Sequence, residues 1–400
     1  MRSCFCLAAR TRALSRYSSP VLRSAWRVAV ALLLGNAACS RRETAAAVPV
    51  IAGIPQQSAA AQNGGPPDGD HELKWTTRDI PKLAELRQAV RSGSRVWVLA
   101  DRLWAPEATG MVVSFEKGRP SFRVQLEGAI LDLRRLGDDV MALRRDGSTV
   151  EVLKMNGARP QSLGCAQVEE NSRPLGVISV GENLAVLGTA SIVYIERGSC
   201  VARATVPLTP ALKIRKASRV VVTPVSNGRV VYVGTSLGEW SEGLWVVDTL
   251  NGVVASLATC ATVRRCSEPI PASADIRGSA ADTQAACAIV AIGNTHWFPR
   301  GRLARACPWG TEEVWKKELA PWRDSSTMPL YGVAAGNSPQ AHTVLTHDSL
   351  LVLKDGRVDH EVPLRPPPLA GLHELEVEGL TVLVRAVGQD QGKPDALLVQ

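Results

Sequence analysis

The chain has 400 residues, 45% hydrophobic and 21% charged, with a formal charge of +8. Core size is not limiting at this length, because a fold of about 300 residues buries roughly 75% of the surface its unfolded chain exposes. The charge excludes a basic stripe for nucleic acid. Residues 1–38 hold six arginines and no acid, so the remainder carries +8 less 6, or +2. The one basic cluster, Lys213, Arg215, Lys216 and Arg219, is too short to track a phosphate backbone and reads as a solvated loop.

The first segment has the order of an export signal. Arginines precede an apolar run from Val28 to Leu34, and small residues Ala37 and Ala38 precede Cys39. The eleven residues from Val28 to Ala38 fall short of the roughly 20 apolar residues that a spanning helix needs. The arginine-bearing part is long for such a signal, which places the expected start of translation downstream, at Val21.

Ala37-Ala38-Cys39-Ser40 resembles the lipobox of bacterial lipoproteins, although Asn36 stands where that family has an aliphatic residue. The resemblance implies lipidation of Cys39 and an outer-membrane-anchored or periplasmic location. Cysteine parity agrees. Setting aside Cys4, Cys6 and Cys39 leaves Cys165, Cys200, Cys260, Cys266, Cys287 and Cys307, an even set that can pair fully in an oxidising compartment. The simplest pairs are Cys260 with Cys266, Cys287 with Cys307 and Cys165 with Cys200, among fifteen possible connectivities. Residues 39–70 are rich in Ala, Gly, Pro, Gln and Ser and read as a flexible tether.

A folded domain is expected over 71–400. Asp79-Ile80-Pro81, followed by Leu83, Leu86 and Val90 and then Gly93, predicts a helix over 79–92 with an N-cap and a glycine stop. Beyond Ser94 the chain breaks into Val- and Leu-rich runs punctuated by glycine turns. Five turns share one design, at Gly118, Gly157, Gly198, Gly252 and Gly356, and a less regular sixth follows His296-Trp297-Phe298 at Gly301. In chain order these glycines lie 39, 41, 54, 49 and 55 residues apart, the length of a four-stranded unit.

The third unit reads as strands Gly176–Val180, Asn183–Gly188, Ser191–Glu196 and Cys200–Val206. The sixth reads as Leu330–Ala334, Ala341–Thr346, Leu350–Lys354 and Val358–Pro363. Repeated four-stranded units predict an all-β fold, a β-propeller of seven four-stranded blades. The seventh blade, from Leu372 to Gln400, would take its outermost strand from His71–Thr77. Val230-Val231-Tyr232-Val233-Gly234-Thr235-Ser236, with Gly243 to Asp248 and Asn251-Gly252, resembles a blade of the pyrroloquinoline-quinone-type propeller repeats.

Chemical motifs have bland explanations. Gly234-Thr235-Ser236-Leu237-Gly238 spells G-x-S-x-G, but a strand follows where a nucleophile elbow needs a helix. Ser114 and Lys117 spell S-x-x-K on a strand, where they point to opposite faces, as do His342 and His347 beside Asp348. The expected sets of catalytic residues, metal ligands and cofactors are therefore empty. Propeller geometry supplies the remaining candidate. Second-to-third-strand and blade-to-blade connections share one face, which would gather Trp104, Trp240, Trp309, Trp315 and Trp322, while Trp97 and Trp245 pack between blades. Tryptophans with a wet edge suit contacts with proteins or sugar rings.

The expected function is a non-enzymatic scaffold at the cell envelope. Its partner would be an envelope protein or polysaccharide, with membrane contact only through the lipid anchor and no nucleic acid. The alternative is an envelope enzyme, a hydrolase or quinoprotein, recognisable by polar groups converging on the central channel. A third reading, implied by similar propellers, is a lipoprotein that assists outer-membrane assembly.

Overall fold

The computed structural model describes residues 84–102, 109–116, 119–216, 218–237, 240–257, 270–282, 286–294, 300–318, 330–335, 341–346, 349–363, 373–378, 381–386 and 396–399. The expected signal, the tether, Cys39 and the His71–Thr77 strand lie outside these residues.

The described chain is all-β. The first sheet holds β1 (Ala84–Ser92), β2 (Arg95–Arg102), β3 (Thr109–Glu116) and β4 (Arg119–Glu127). The second holds β5 (Ala129–Leu136), β6 (Asp139–Asp146), β7 (Thr149–Lys154) and β8 (Gln161–Gln167), and the third β9 (Pro174–Val180), β10 (Asn183–Gly188), β11 (Ser191–Ile195) and β12 (Ala202–Pro207). In the fourth are β13 (Arg219–Val225), β14 (Val230–Ser236), β15 (Leu244–Asp248) and β16 (Val253–Ser256). The fifth contains β17 (Asp275–Ala281), β18 (Ala288–Asn294), β19 (Arg300–Cys307) and β20 (Gly310–Glu318), and the sixth β21 (Leu330–Ala335), β22 (Ala341–Thr346), β23 (Ser349–Lys354) and β24 (Arg357–Pro363). A three-stranded sheet of β25 (His373–Glu378), β26 (Thr381–Ala386) and β27 (Ala396–Val399) completes the described strands, and a single 3-10 turn, Ser226–Gly228, lies between β13 and β14.

Each four-stranded sheet is an antiparallel meander in chain order. First strands touch in succession: β1 meets β5, β5 meets β9, β9 meets β13, β13 meets β17, β17 meets β21, β21 meets β25, and β25 meets β1. The succession returns to its starting strand, which is a propeller-like arrangement.

The core lies between sheets, because each inner sheet buries both faces. In the third sheet, Val177, Leu184, Val186 and Val193 pack toward Leu143, Val150 and Val152 of the second. Their neighbours Ile178, Ala185, Leu187 and Ile192 pack toward Val222, Val231 and Val247 of the fourth. Alternation assigns consecutive apolar residues to opposite interfaces, and each fully buried Val, Leu or Ile contributes roughly 1.5–3 kcal/mol.

Two expectations are corrected. Residues 84–92 form strand β1 and not the second part of a helix over 79–92; residues 79–83 are outside the described set. Leu86 and Val90 are four apart, a spacing that suits one face of a helix and also one face of a strand. Pairing decides the matter: β1 is hydrogen-bonded to β2 with a bulge between Leu86 and Gln88, and Gly93, at φ +59°, turns the hairpin. The sixth turn is also displaced. Gly301 lies inside β19, and the chain reverses at Pro308-Trp309 before β20.

Gly157, Gly198, Gly252 and Gly356 each join a third strand to a fourth, Gly118 falls outside the described residues, and the strands expected in the third and sixth units match β9–β12 and β21–β24 to within two residues. Disulfides join Cys165 to Cys200 and Cys287 to Cys307. The first ties β8 of the second sheet to the β11–β12 turn of the third. The second staples the start of β18 to the end of β19. Cys260 and Cys266 fall outside the described residues.

Candidate functional site

Antiparallel order puts first-to-second and third-to-fourth turns at one end of every sheet, with the remaining connections at the other. That second end is not uniformly long-looped. Residues 147–148 and 189–190 join second to third strands in only two residues. Two longer connections, described over 208–216 and 218 and over 237 and 240–243, meet above the fourth sheet.

Buried anchors hold the 208–218 segment. Leu208 and Leu212 sink into the core shared by the third and fourth sheets, and their amides donate to Ala190 O at 2.7 Å and Thr189 O at 2.8 Å. Thr209 donates to Gly252 O at 2.7 Å and accepts from Val254 N at 3.0 Å, covering part of the β16 edge. The Arg173 guanidinium donates to Arg215 O at 2.9 Å and Ser218 O at 3.4 Å. With these points fixed, Pro210, Ala211, Lys213, Arg215 and Lys216 are left exposed.

The facing segment is braced from the neighbouring sheet. Buried Ser241 accepts from Leu237 N at 2.7 Å and donates to Asp275 Oδ1, on the first strand of the fifth sheet, at 3.0 Å. Asp275 in turn pairs with Arg277 at 2.5 Å. Glu242 N donates to Thr235 Oγ1 at 2.7 Å. Gly243 has φ +87°, and a Cβ there would stand 2.8 Å from Ala272 O, so the loop must pass close to that backbone. Locked on both sides, the segment presents Trp240 with 59% of its surface exposed.

Arg215 couples the two segments. Its guanidinium lies 5.7 Å from the Trp240 ring centroid and its Nε 3.4 Å from Glu242 Oε1. Glu242 also accepts from Arg215 N at 3.1 Å and from Ser218 Oγ at 2.9 Å. Beside this cluster runs a groove of about 610 Å³ whose lining includes Pro210, Lys213, Glu242, Trp245 and Val254, within the roughly 300–1,000 Å³ usual for ligand pockets.

Of the five tryptophans expected on this face, Trp240 is there. Trp104 and Trp322 lie outside the described residues. Trp309 is 56% exposed but occupies the β19–β20 turn, at the opposite end of its sheet. Trp315 lies within β20, pairs with Leu303 and packs half-buried on the core between the fifth and sixth sheets. The misplaced turn explains both displacements: taking Gly301 as the hairpin pushes residues 309–318 into a connection, whereas they form the turn and the fourth strand. Trp97 is buried in the core between the first and second sheets, and Trp245 packs on the core between the third and fourth.

Sequence reading missed the part played by Arg215 and Glu242. They are 27 residues apart, so the usable signal was local: Leu212 and Ile214 alternating with Lys213 and Arg215 mark a segment with one face anchored.

A second polar set lies on the first strands. Buried Asp132 accepts from Gln88 Nε2 at 3.1 Å, Val177 N at 3.0 Å and Arg134 Nε at 3.2 Å. Arg134 reaches on to the Val222 carbonyl, and Thr223 Oγ1 donates to Ser279 O at 3.1 Å. These groups bond one another from sheet to sheet. Of the sequence motifs, Ser236 is the buried last residue of β14 and the chain proceeds to β15 at Leu244. Ser114 is buried in β3, while Lys117, His347 and Asp348 lie outside the described residues. His342 is buried in β22 with Nε2 2.7 Å from Ala281 O.

No family profile matches the chain, and no curated protein matches it. Similar solved structures include BamB from Moraxella catarrhalis, at 12% identity over 77% of this chain and 82% of that one, with a TM-score of 0.40. Kuenenia stuttgartiensis hydrazine synthase aligns at 12% identity over 84% and 99%, with a TM-score of 0.47. A puromycin-hydrolyzing peptidase of Mycobacterium tuberculosis aligns at 15% identity over 82% and 54%, with a TM-score of 0.48. Likeness of this degree carries no argument about activity or partner, and the fold description rests on the sheet topology.

Proposed function

We propose that this chain is an exported seven-bladed propeller that acts as a non-enzymatic scaffold, docking an envelope protein or polysaccharide on the long-connection face of its fourth sheet. One observation carries the reading: Trp240 stands exposed beside a groove, held there by Arg215, Glu242 and Ser241. An aromatic ring fixed in a wet position meets a partner with little further loss of conformational freedom. Trp104 and Trp322, placed by sequence between β2 and β3 and between β20 and β21, are proposed as further members of this face.

Export is supported by the two disulfides, which persist in oxidising compartments. The domain plan is a signal over 1–38, a tether over 39–70 anchored through lipidated Cys39, and the propeller from 71 onward. A count of seven is supported by six four-stranded sheets plus the three-stranded one whose first strand meets β1. The enzyme alternative needs polar groups aimed at a reactant. Asp132 and Arg134 are instead engaged by Gln88, Val177 and Val222 across neighbouring sheets, which favours a structural role for them.

A pull-down from envelope extract with wild type, Trp240→Ala and Trp309→Ala tests the face. Partners should be lost by Trp240→Ala and kept by Trp309→Ala. Equal recovery by wild type and Trp240→Ala removes the face from consideration.

A further inference from the structure

We infer that the Cys165–Cys200 disulfide is a redox latch on the seam between the second and third sheets, one that a dithiol reductant opens while Cys287–Cys307 stays closed. The inference goes beyond the docking face and does not depend on it. The two disulfides sit differently. Cys287 and Cys307 are 0% and 5% exposed and tie together neighbouring strands of one sheet that are already hydrogen-bonded along their length, so a reductant reaches neither sulfur without opening the fold. Cys165 is buried on β8, but its partner Cys200 is exposed in the β11–β12 turn of the next sheet. Thiol–disulfide exchange needs access to a sulfur, and Cys200 gives it.

The latch holds a turn seated on a strand. Gly198 N donates to Leu163 O at 2.9 Å and Cys165 N donates to Ser199 O at 2.9 Å. A Cβ at Gly164 would stand 2.5 Å from Glu196 O, so the turn lies flush on the β8 backbone. Leu163, Ala166, Ile195 and Ala202, on either side of this contact, belong to the core between the two sheets. In the exchange, a thiolate of the dithiol attacks Cys200 Sγ, and the S–S bond breaks with its electron pair going to Cys165 Sγ, which takes a proton. The second thiol of the reductant then attacks its own partner sulfur in the mixed disulfide, releasing Cys200 as a thiol and leaving the reductant as a disulfide. Two electrons and two protons pass to the pair. Freed of the covalent tie, the turn opens more often and uncovers the β8 edge and the outer margin of that core.

The test uses the full oxidised chain and dithiothreitol, with alkylation and peptide mass spectrometry to read which cysteines have opened. Cys165 and Cys200 should be labelled about tenfold faster than Cys287 and Cys307. In the chain opened at that pair alone, hydrogen exchange at the Gly198 and Cys165 amides should quicken about tenfold, while exchange in β18 and β19 stays as it was. Cys200→Ser should show the same quickening with no reductant added, and if that variant does not fold, the reductant arm decides by itself. Equal labelling of the two pairs, earlier opening of Cys287–Cys307, or unchanged exchange at Gly198 and Cys165 after opening overturns the inference. Neither readout involves Trp240, so the latch and the docking face stand or fall separately.

Discussion

Tyr232 is fully buried, its hydroxyl donates to Ala286 O at 2.7 Å, and burial pushes that hydroxyl far above the ordinary tyrosine range. Tyr194 is raised as well, chiefly by burial, with its bond to Thr249 pulling the other way and Asp248 adding to the rise. The unfolded chain loses its tyrosine protons above about pH 10 while folded Tyr232 keeps its own, so the unfolded state binds fewer protons and stability falls with rising pH. The full contribution is present below pH 10. Above it, Tyr232 should account for a loss of about 1.4 kcal/mol per pH unit. Urea denaturation between pH 8 and pH 11 should show that slope reduced in Tyr232→Phe, which at pH 7 costs about 1 kcal/mol for the orphaned carbonyl. An unchanged alkaline slope would contradict the assignment.

Two glycines offer a second test at the same scale. Gly181 has φ +59° and open space around its missing Cβ, whereas at Gly228, with φ +78°, a Cβ would lie 1.6 Å from Ser179 O. Gly181→Ala should cost about 1–2 kcal/mol, the strain of the left-handed region. Gly228→Ala should cost about 4 kcal/mol or more because backbone must also move, and differential scanning calorimetry ranks the two.

Between elements, one buried cation joins sheets. Arg305 on β19 pairs with Asp282 at 2.6 Å and Glu312 at 3.0 Å, and donates to Asp355 O at 3.0 Å in the β23–β24 turn of the sixth sheet. Arg305→Ala strips the guanidinium from a fully buried carboxylate and should destabilise by about 3–5 kcal/mol. Arg305→Lys should recover only part of this in urea denaturation, since one ammonium cannot reproduce the forked contacts. Full rescue by lysine would mean that charge alone matters there. The disulfides act at the same scale: reduction should cost about 2–4 kcal/mol for each pair. Strands were readable in the sequence wherever glycine turns bounded an alternating run, as in β9–β12. They were misread where a local pattern admitted two answers, at β1 and around Gly301.

For the whole molecule, closure is the property at stake. The last sheet touches β21 on one side and β1 on the other, so removing 364–400 leaves two sheet faces without neighbours. That truncation should broaden thermal unfolding and promote association, seen by calorimetry and light scattering, because uncovered sheet surface seeks partners. A truncated chain that melts sharply as a monomer would show that the ring does not unfold as one unit. Alternation and turn glycines determined the all-β class and the repeated unit, since each depends on residues within a few tens of positions, whereas cysteine parity left fifteen pairings open and the fold selected Cys165 with Cys200 and Cys287 with Cys307. Tertiary structure alone decided which end of a sheet Trp240 and Trp309 occupy, that Lys213 lines a groove, and that Glu242 holds Arg215. Those facts depend on how separate sheets stack, and residues far apart in the chain meet only once the interfaces between them have packed.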